Sequence, residues 1–256
     1  MLIDTHSHLH DSAFDVDRDN VIQKAKQNEV DLMITIGTDM ESSQKAAKLA
    51  QAYDFIYATV GVHPHEVKTL QEDSYQILER LAVEPKVVAY GEIGLDYYYM
   101  HSPKDVQQKH FREQIRLARK LGLPLVIHTR QAPVETLTIL REEKADEVGG
   151  VLHCYTGDLT TAHAAIDMNF FISFSGILTF AKASELQTVA HELPIEHLLI
   201  ETDCPYLAPM PHRGKRNEPA YVRYVAEKLA QIKAISYQEI VRITAQNTRQ
   251  LFKKMA

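Results

Sequence analysis

The stretch VVAYGEIGLDYYYMHSPKDVQQKHFREQIRLARKLGLPLVIHTR, residues 87–130, decides how the fold is read. An apolar run at 87–93 leads into a helical pattern at 104–121, and a second apolar run follows at 125–128. Within the helical pattern Phe111, Ile115, Ala118 and Leu121 recur at three- and four-residue steps, so they share one face, and Gly122 ends it. Strand, amphipathic helix, strand is the unit of a parallel sheet, because parallel neighbours need a long crossover.

The same rhythm extends in both directions. Further apolar runs lie at 2–6, 31–36, 56–62, 151–153, 170–174 and 198–201, making eight in all. Helical patterns fall at 18–28, 41–52, 74–82, 134–143, 160–168, 182–191 and 219–232, with one more at 237–253 left over. Eight strand–helix units are the number that closes a barrel. The expected architecture is a (β/α)8 TIM barrel of the α/β class, a single domain over residues 1–256 with an extra C-terminal helix. An open doubly wound sheet is the alternative, and no G-x-G-x-x-G turn follows any strand to support it. There are no internal repeats, low-complexity runs or linker-like segments.

Bulk composition narrows the classes. The chain has 256 residues, 45% of them hydrophobic, enough to bury a core, and its formal net charge of -6 argues against broad coating of nucleic acid or acidic membranes. A metal site supplies local positive charge that such a count misses. Two cysteines, Cys154 and Cys204, are too few for a disulfide framework and read as buried, inert thiols of a reducing compartment. The N-terminal MLIDTHSHLH lacks the basic and apolar regions of a signal peptide, and no apolar run is long enough to span a membrane, so the expectation is a cytoplasmic protein.

The informative residues sit at strand ends, where barrel enzymes build their sites. His6 and His8 are two apart at the end of the first run, so both rings face one side. His-x-His alone is equally compatible with structural hydrogen bonding; other ligand-type residues at other strand ends make the metal reading the stronger. Glu92 ends the fourth run, where a buried carboxylate is costly unless paired or metal-bound, and its two oxygens suit it to bridge two ions. The nearest lysine, Lys86, starts that strand and lies at the wrong end to serve as a modified bridging ligand. His128 and His153 close the fifth and sixth runs; either alone reads more readily as a hydrogen-bonded core histidine, but two on adjacent strands are candidate ligands for a second ion. Asp203, after the eighth run, is the candidate for both metal ligand and general base. Glu201, two residues earlier, reads as a hydrogen-bond partner of a liganding histidine, with a further ion as the alternative.

Substrate contacts are expected around this centre. His63, after Gly61-Val62, suits a phosphate oxygen, whereas His65 beyond Pro64 is expected to face elsewhere. Arg130 is a candidate phosphate fork, or else a surface partner of Glu135. The basic loop His212-Arg213-Gly214-Lys215-Arg216-Asn217 lies at the same mouth, with Arg213, Lys215 and Arg216 as backbone contacts and Asn217 as the alternative cap of the helix near Pro219. Tyr97 and Tyr98, with Tyr99, are candidates for base stacking, with ordinary loop packing as the alternative.

Taken together, Asp4-Thr5-His6-Ser7-His8, Gly61-Val62-His63-Pro64-His65, Gly91-Glu92-Ile93-Gly94-Leu95-Asp96-Tyr97, His128-Thr129-Arg130, His153-Cys154-Tyr155-Thr156-Gly157 and Glu201-Thr202-Asp203-Cys204-Pro205-Tyr206-Leu207 resemble the TatD family of metal-dependent deoxyribonucleases over essentially the whole chain. The resemblance implies an amidohydrolase-like barrel. It implies His6, His8, Glu92, His128, His153 and Asp203 as metal positions, and His63 as a substrate contact. It also implies phosphodiester hydrolysis, often 3′-to-5′ on DNA ends, dependent on magnesium, manganese or zinc, and a link to DNA repair. The resulting expectation is two divalent ions per chain, one on His6 and His8 and one on His128 and His153, bridged by Glu92, with Asp203 receiving the proton of an attacking water. The expected partner is DNA, single-stranded or held at an end, with no membrane partner and a monomeric chain. Hydrolysis of a small amide, lactone or phosphoester is the nearest rival, and a non-catalytic metal- or nucleic-acid-binding protein the next.

Overall fold

The structure, a computed structural model, describes residues 1–255, and its eight strands form one parallel sheet in the order β1 to β8. The strands are β1 (Leu2–Ser7), β2 (Val30–Ile36), β3 (Ile56–Val60), β4 (Val87–Asp96), β5 (Leu125–Arg130), β6 (Gly150–Leu152), β7 (Phe170–Phe174) and β8 (Leu198–Ile200). Between them run α1 (Arg18–Gln27), α2 (Met40–Ala52), α3 (Ser74–Ala82), α4 (Lys104–Leu121), α5 (Pro133–Glu142), α6 (Leu159–Ile166) and α7 (Ser184–Glu192), and α8 (Val222–Lys233) follows β8. The expected TIM barrel is observed, and α9 (Tyr237–Leu251) is its extra helix. Among the described residues no helix is long and apolar enough to cross a membrane.

The barrel closes between β1 and β8 through a short seam. The Thr5 hydroxyl donates to the Ile200 carbonyl (2.9 Å), the Asp203 N–H to the His6 carbonyl (2.9 Å) and the His8 N–H to the Cys204 carbonyl (2.8 Å). Asp4, fully buried, accepts both the N–H and the hydroxyl of Thr202 at 2.8 and 2.6 Å. Three of the residues in this seam carry the chemistry discussed below, so closing the barrel and placing those side chains are one event.

Two apolar cores flank the sheet. The larger lies between strands and helices and includes Phe111, Ile115 and Ala118 of α4. The smaller fills the barrel at the N-terminal ends of the strands, with Ile3, Val88, Val126, Val151, Phe171 and Leu199 packed around Leu251, Phe252 and Met255. The final helix therefore ends as a plug in the floor of the barrel, which leaves the opposite, C-terminal mouth for function.

Element ends differ from the expected ones where local backbone conformation intervenes. The sixth and eighth strands stop at Leu152 and Ile200, before His153 and Glu201. Cys154 (φ 43°) and Asp203 (φ 57°) adopt left-handed conformations that turn the chain out of the ladder. The fourth strand instead continues to Asp96, closely packed on β5. At Gly94 (φ 143°) a Cβ would fall 1.9 Å from the His128 carbonyl oxygen, so only glycine fits that approach. Ahead of α8, Pro219–Tyr221 form a separate 3-10 turn.

Phe252 has no exposed surface and belongs to the apolar cluster that fills this end of the barrel. Phe252→Ala should cost about 3–5 kcal/mol, as buried aromatic truncations do. Urea unfolding would read this as a lower midpoint with an unchanged slope, and a midpoint within error of the wild type would show that the plug does not support the barrel.

Candidate metal centre

The histidines and acids at the strand ends converge on Glu92, which is almost fully buried. Its Oε2 lies 3.4 Å from His6 Nε2. Its Oε1 lies 2.8 Å from His153 Nε2, 3.0 Å from His128 Nδ1 and 3.4 Å from His63 Nε2. On the Oε2 side, His6 Nε2 and His8 Nε2 are 3.3 Å apart, and Asp203 Oδ1 is 3.6 and 3.3 Å from them. On the Oε1 side, His128 Nδ1 and His153 Nε2 are 3.4 Å apart. The donors thus form two groups that share one carboxylate.

These spacings fit a cation. Ligands about 2.0–2.1 Å from an ion at tetrahedral angles stand about 3.3–3.4 Å from each other, which matches the 3.3 Å between His6 and His8 and the 3.4 Å between His128 and His153. Two imidazole nitrogens and a carboxylate aimed at one point have no mutual hydrogen-bonding solution that uses every lone pair, whereas a cation takes them all.

The tautomers agree with this. His8 Nδ1 faces the Ile36 carbonyl (3.3 Å), His153 Nδ1 faces Glu201 Oε1 (3.3 Å) and His128 Nε2 faces Asp96 Oδ2 (3.0 Å). Each partner can only accept, so each ring carries a proton on that side and donates it, and the neutral ring that binds a cation would turn its lone pair toward the centre. His63 differs. Its Nδ1 accepts the backbone N–H of His65 (3.2 Å), so the neutral ring carries its proton on Nε2 and faces the centre as a donor. Position alone groups His63 with Glu92 and His128; its tautomer separates it from the ligands. Glu201 also accepts the Cys154 N–H (2.8 Å), which ties the turn after β6 to β8.

Charge follows geometry. Burial pushes the Glu92 carboxyl up, but His153, His63 and His128 outweigh it and hold the group well below the usual carboxylate range. Burial pulls His153 down, but Glu92 and Glu201 outweigh that and raise it well above the usual imidazole range. Burial raises Asp203, and His8, His6 and His153 overcome it, leaving the carboxylate ionised. Burial and the neighbouring His128 bring His63 down to about 4, so it is neutral near pH 7.

Around the centre, several residues sit differently from expectation. His65 does not face elsewhere: its Nε2 lies 3.0 Å from Asp96 Oδ2. Arg130 does not pair with Glu135 but stacks over Tyr98 (4.2 Å) and Tyr99 (4.7 Å), both half exposed. Tyr97 turns toward α4, where its hydroxyl accepts from Gln108 (2.7 Å) and Lys104 covers its ring. In the basic loop, Arg213 lies over Phe180 (4.4 Å) and His212 stacks on Tyr221 (4.1 Å). Arg216 forms a two-pronged pair with Asp17 (2.8 and 2.6 Å). Lys215 and Arg216 line a cavity of about 390 Å³ against α1, and none of the metal donors lines it. Asn217 does not cap α8; buried, it donates to the Thr202 and Tyr206 carbonyls (2.8 and 2.6 Å) and so clamps the turn that carries Asp203. Cys204 is buried and Cys154 half-buried with its Sγ against Ser175 Oγ (3.2 Å), and burial raises both thiols well above the usual range, as inert thiols require. Sequence reasoning assigns Asp96 no role of its own and offers Asn217 only as a helix cap. Asp96 had a signal, an acid immediately before a tyrosine run at a strand end; the clamping role of Asn217 had none, because its partners are carbonyls.

A parallel barrel with two His/carboxylate donor groups at its C-terminal mouth is the architecture of a metal-dependent hydrolase. The chain belongs to the family described as TatD related DNase, whose family model matches residues 3–253. It is 45% identical to an uncharacterized metal-dependent hydrolase, YabD, of Bacillus subtilis, over 99% of both chains. It is 35% identical to a protein of Edwardsiella piscicida named 3′-5′ ssDNA/RNA exonuclease TatD, over 98% of this chain and 99% of the relative. Its fold superposes with a TM-score of 0.93 on the crystal structure of YJJV, a TatD homologue from Escherichia coli K12, at 30% identity over 98% of each chain.

The charges of the metal-free centre set a pH dependence. Glu92 stabilises the fold above its ordinary value of 4.5 and loses this as pH falls through its lowered value. His153 stabilises it below 6.5 and loses this as pH rises through its raised value. Asp4, raised by burial to about 8, costs stability progressively as pH rises from 3.8 toward that value. Chelator-treated protein should therefore lose thermal stability from pH 6.5 upward. A Tm independent of pH across that range would contradict the charge assignment.

Proposed function

We propose that this protein is a two-metal phosphodiesterase that removes nucleotides from the 3′ ends of single-stranded DNA. The observation that carries the reading is the sharing of Glu92 between two complete donor groups of one chain, at a mouth flanked by Arg130 and two exposed tyrosines. The name of the Edwardsiella relative supports the substrate and its polarity. Both donor groups lie within one chain, so the reading needs no second subunit, and a monomer acting on a DNA end suffices.

His6, His8 and Asp203 with one oxygen of Glu92 would hold one ion, and His128 and His153 with the other oxygen a second. Such ions lower the pKa of an attacking water and neutralise charge developing on the phosphate. Four imidazoles favour zinc or manganese over magnesium, which prefers oxygen. Asp203, ionised beside His6 and His8, accepts the proton of the attacking water. His63, neutral and protonated on Nε2, donates to a non-reacting phosphate oxygen. Arg130 grips the next phosphate through its planar fork while its face rests on Tyr98 and Tyr99, which offer their open sides to unpaired bases. Arg213 and Lys215 of the basic loop would add phosphate contacts further from the centre, and Arg216 anchors that loop to α1 through Asp17.

The deciding experiment is metal analysis of the purified protein, followed by cleavage of end-labelled single- and double-stranded DNA beside a panel of lactones and amides. Release of single nucleotides from the 3′ end of the single strand is expected. Turnover confined to the small-molecule panel would favour the rival hydrolase, and binding without any turnover the non-catalytic reading. Asp203→Asn should lower kcat by about 10²–10⁴-fold, the range for loss of a general base, and wild-type rates would refute its role. Arg130→Ala should raise KM for a single-stranded oligonucleotide about tenfold or more, as loss of a charged hydrogen bond does. It should also flatten the dependence of log KM on log salt by about 0.7. An unchanged salt slope would remove Arg130 from the phosphate path.

A further inference from the structure

Asp96 closes β4 opposite Arg130 of β5 and has no exposed surface. A carboxylate so placed is costly unless both oxygens are filled. Oδ2 lies 3.0 Å from His128 Nε2 and 3.0 Å from His65 Nε2. Oδ1 accepts the backbone N–H groups of Tyr98 (3.0 Å) and Tyr99 (2.8 Å). Its own backbone is held from behind by the buried Gln107, whose Oε1 accepts the Asp96 N–H (2.8 Å) and whose Nε2 donates to the Asp96 carbonyl (3.0 Å). One side chain therefore joins three separate segments: β5 at a metal donor, the loop after β3, and the turn bearing the exposed tyrosines.

We propose that Asp96 is a positioning residue that sets His128 and the Tyr98–Tyr99 turn in one frame, so that the second donor group and the aromatic flank of the mouth are built together. For His128 the argument is one of proton placement. While Asp96 accepts from Nε2, a neutral ring, as a metal ligand must be, has its lone pair on Nδ1, the atom that faces Glu92 and His153. Without that acceptor the ring is free to put its proton on Nδ1, where a cation would need the lone pair. For the turn the argument is one of backbone satisfaction. The two N–H groups that fold it back on Asp96 have no other partner there, and without them the tyrosines lose their fixed place under Arg130. Ring contacts run along the same path, from Tyr99 to His65 (5.6 Å), to His63 (4.3 Å) and to His128 (4.4 Å). The aromatic half of this inference rests on the nuclease reading above; the His128 half does not.

The test uses the full chain with Asp96→Ala and Asp96→Asn. The NMR sample is metal-free protein labelled with ¹⁵N-histidine, at a pH high enough for the His128 ring to be neutral (burial lowers it, but Asp96 and Glu92 outweigh that and raise it). It should show wild-type His128 as a single Nε2–H tautomer and a tautomer mixture in Asp96→Ala. Zn²⁺ affinity, measured by competition with a chromophoric chelator, should fall about 10–100-fold, the usual cost of losing such a partner. KM for a single-stranded oligonucleotide should rise in the same variant more than kcat falls. Asp96→Asn keeps one acceptor oxygen, so it should recover the His128 tautomer and part of the Zn²⁺ affinity while KM stays raised, and it carries the test alone if the alanine variant does not fold. Wild-type tautomer and Zn²⁺ affinity in the variants would overturn the proposal, and so would weakened Zn²⁺ binding with an unchanged KM. The NMR and Zn²⁺ measurements need no nucleic acid, so they stand even if the oligonucleotide proves not to be a substrate.

Discussion

The centre of this protein depends on one buried carboxylate. Glu92 sits at the heart of a barrel with four imidazoles from four different strands or strand ends directed at its two oxygens. A charge so deep is unfavourable unless it is surrounded by donors or cations. The histidines are unfavourable there for the complementary reason. Each makes the other tolerable, and together they form donor groups that could hold metal ions. The barrel supplies what no single segment could: a ring of strands that delivers these groups to one point from all sides.

That arrangement is tied into closure of the fold. The seam between first and last strands runs through the backbone of His6, His8 and Asp203, so the first donor group is complete only when the barrel is closed. Behind the donors stands a shell of pure acceptors, the Ile36 carbonyl, Asp96 and Glu201, each of which settles which nitrogen of a histidine keeps its lone pair. His63 is the counterexample that makes the rule visible: the same residue type at the same centre becomes a donor because a backbone N–H occupies its Nδ1. Further out, Asn217 holds the Asp203 turn to the basic loop much as Asp96 holds the tyrosine turn to β5.

Much of this was legible beforehand. Alternating apolar runs and amphipathic helices imposed eight parallel strands, because those periods bury one face of each element and little else does. Acids and histidines at the ends of apolar runs marked the mouth, since such groups are seldom left in a core without a task. The less legible parts share a cause. Strand alternation tells which way a side chain points, but the turns at Cys154 and Asp203 move residues off the ladder through left-handed backbone that no propensity announces. Tyr97, Tyr98 and Tyr99 are indistinguishable in a run of three; only packing against α4 sends the first inward and leaves the others beside Arg130.

By itself, then, the order of residues determined the class of fold, the end of the barrel that carries the site, and the residue types gathered there, because these follow from periodicity and from the cost of burying charge. Only the tertiary structure decided which nitrogen of each histidine faces the centre, that Arg216 serves its own loop through Asp17, and that Asp96 and Asn217 hold the site's frame. Those outcomes depend on partners far apart in the chain, brought within about 3 Å by closure of the barrel, and hydrogen bonds at that range are decided by geometry that local sequence does not contain.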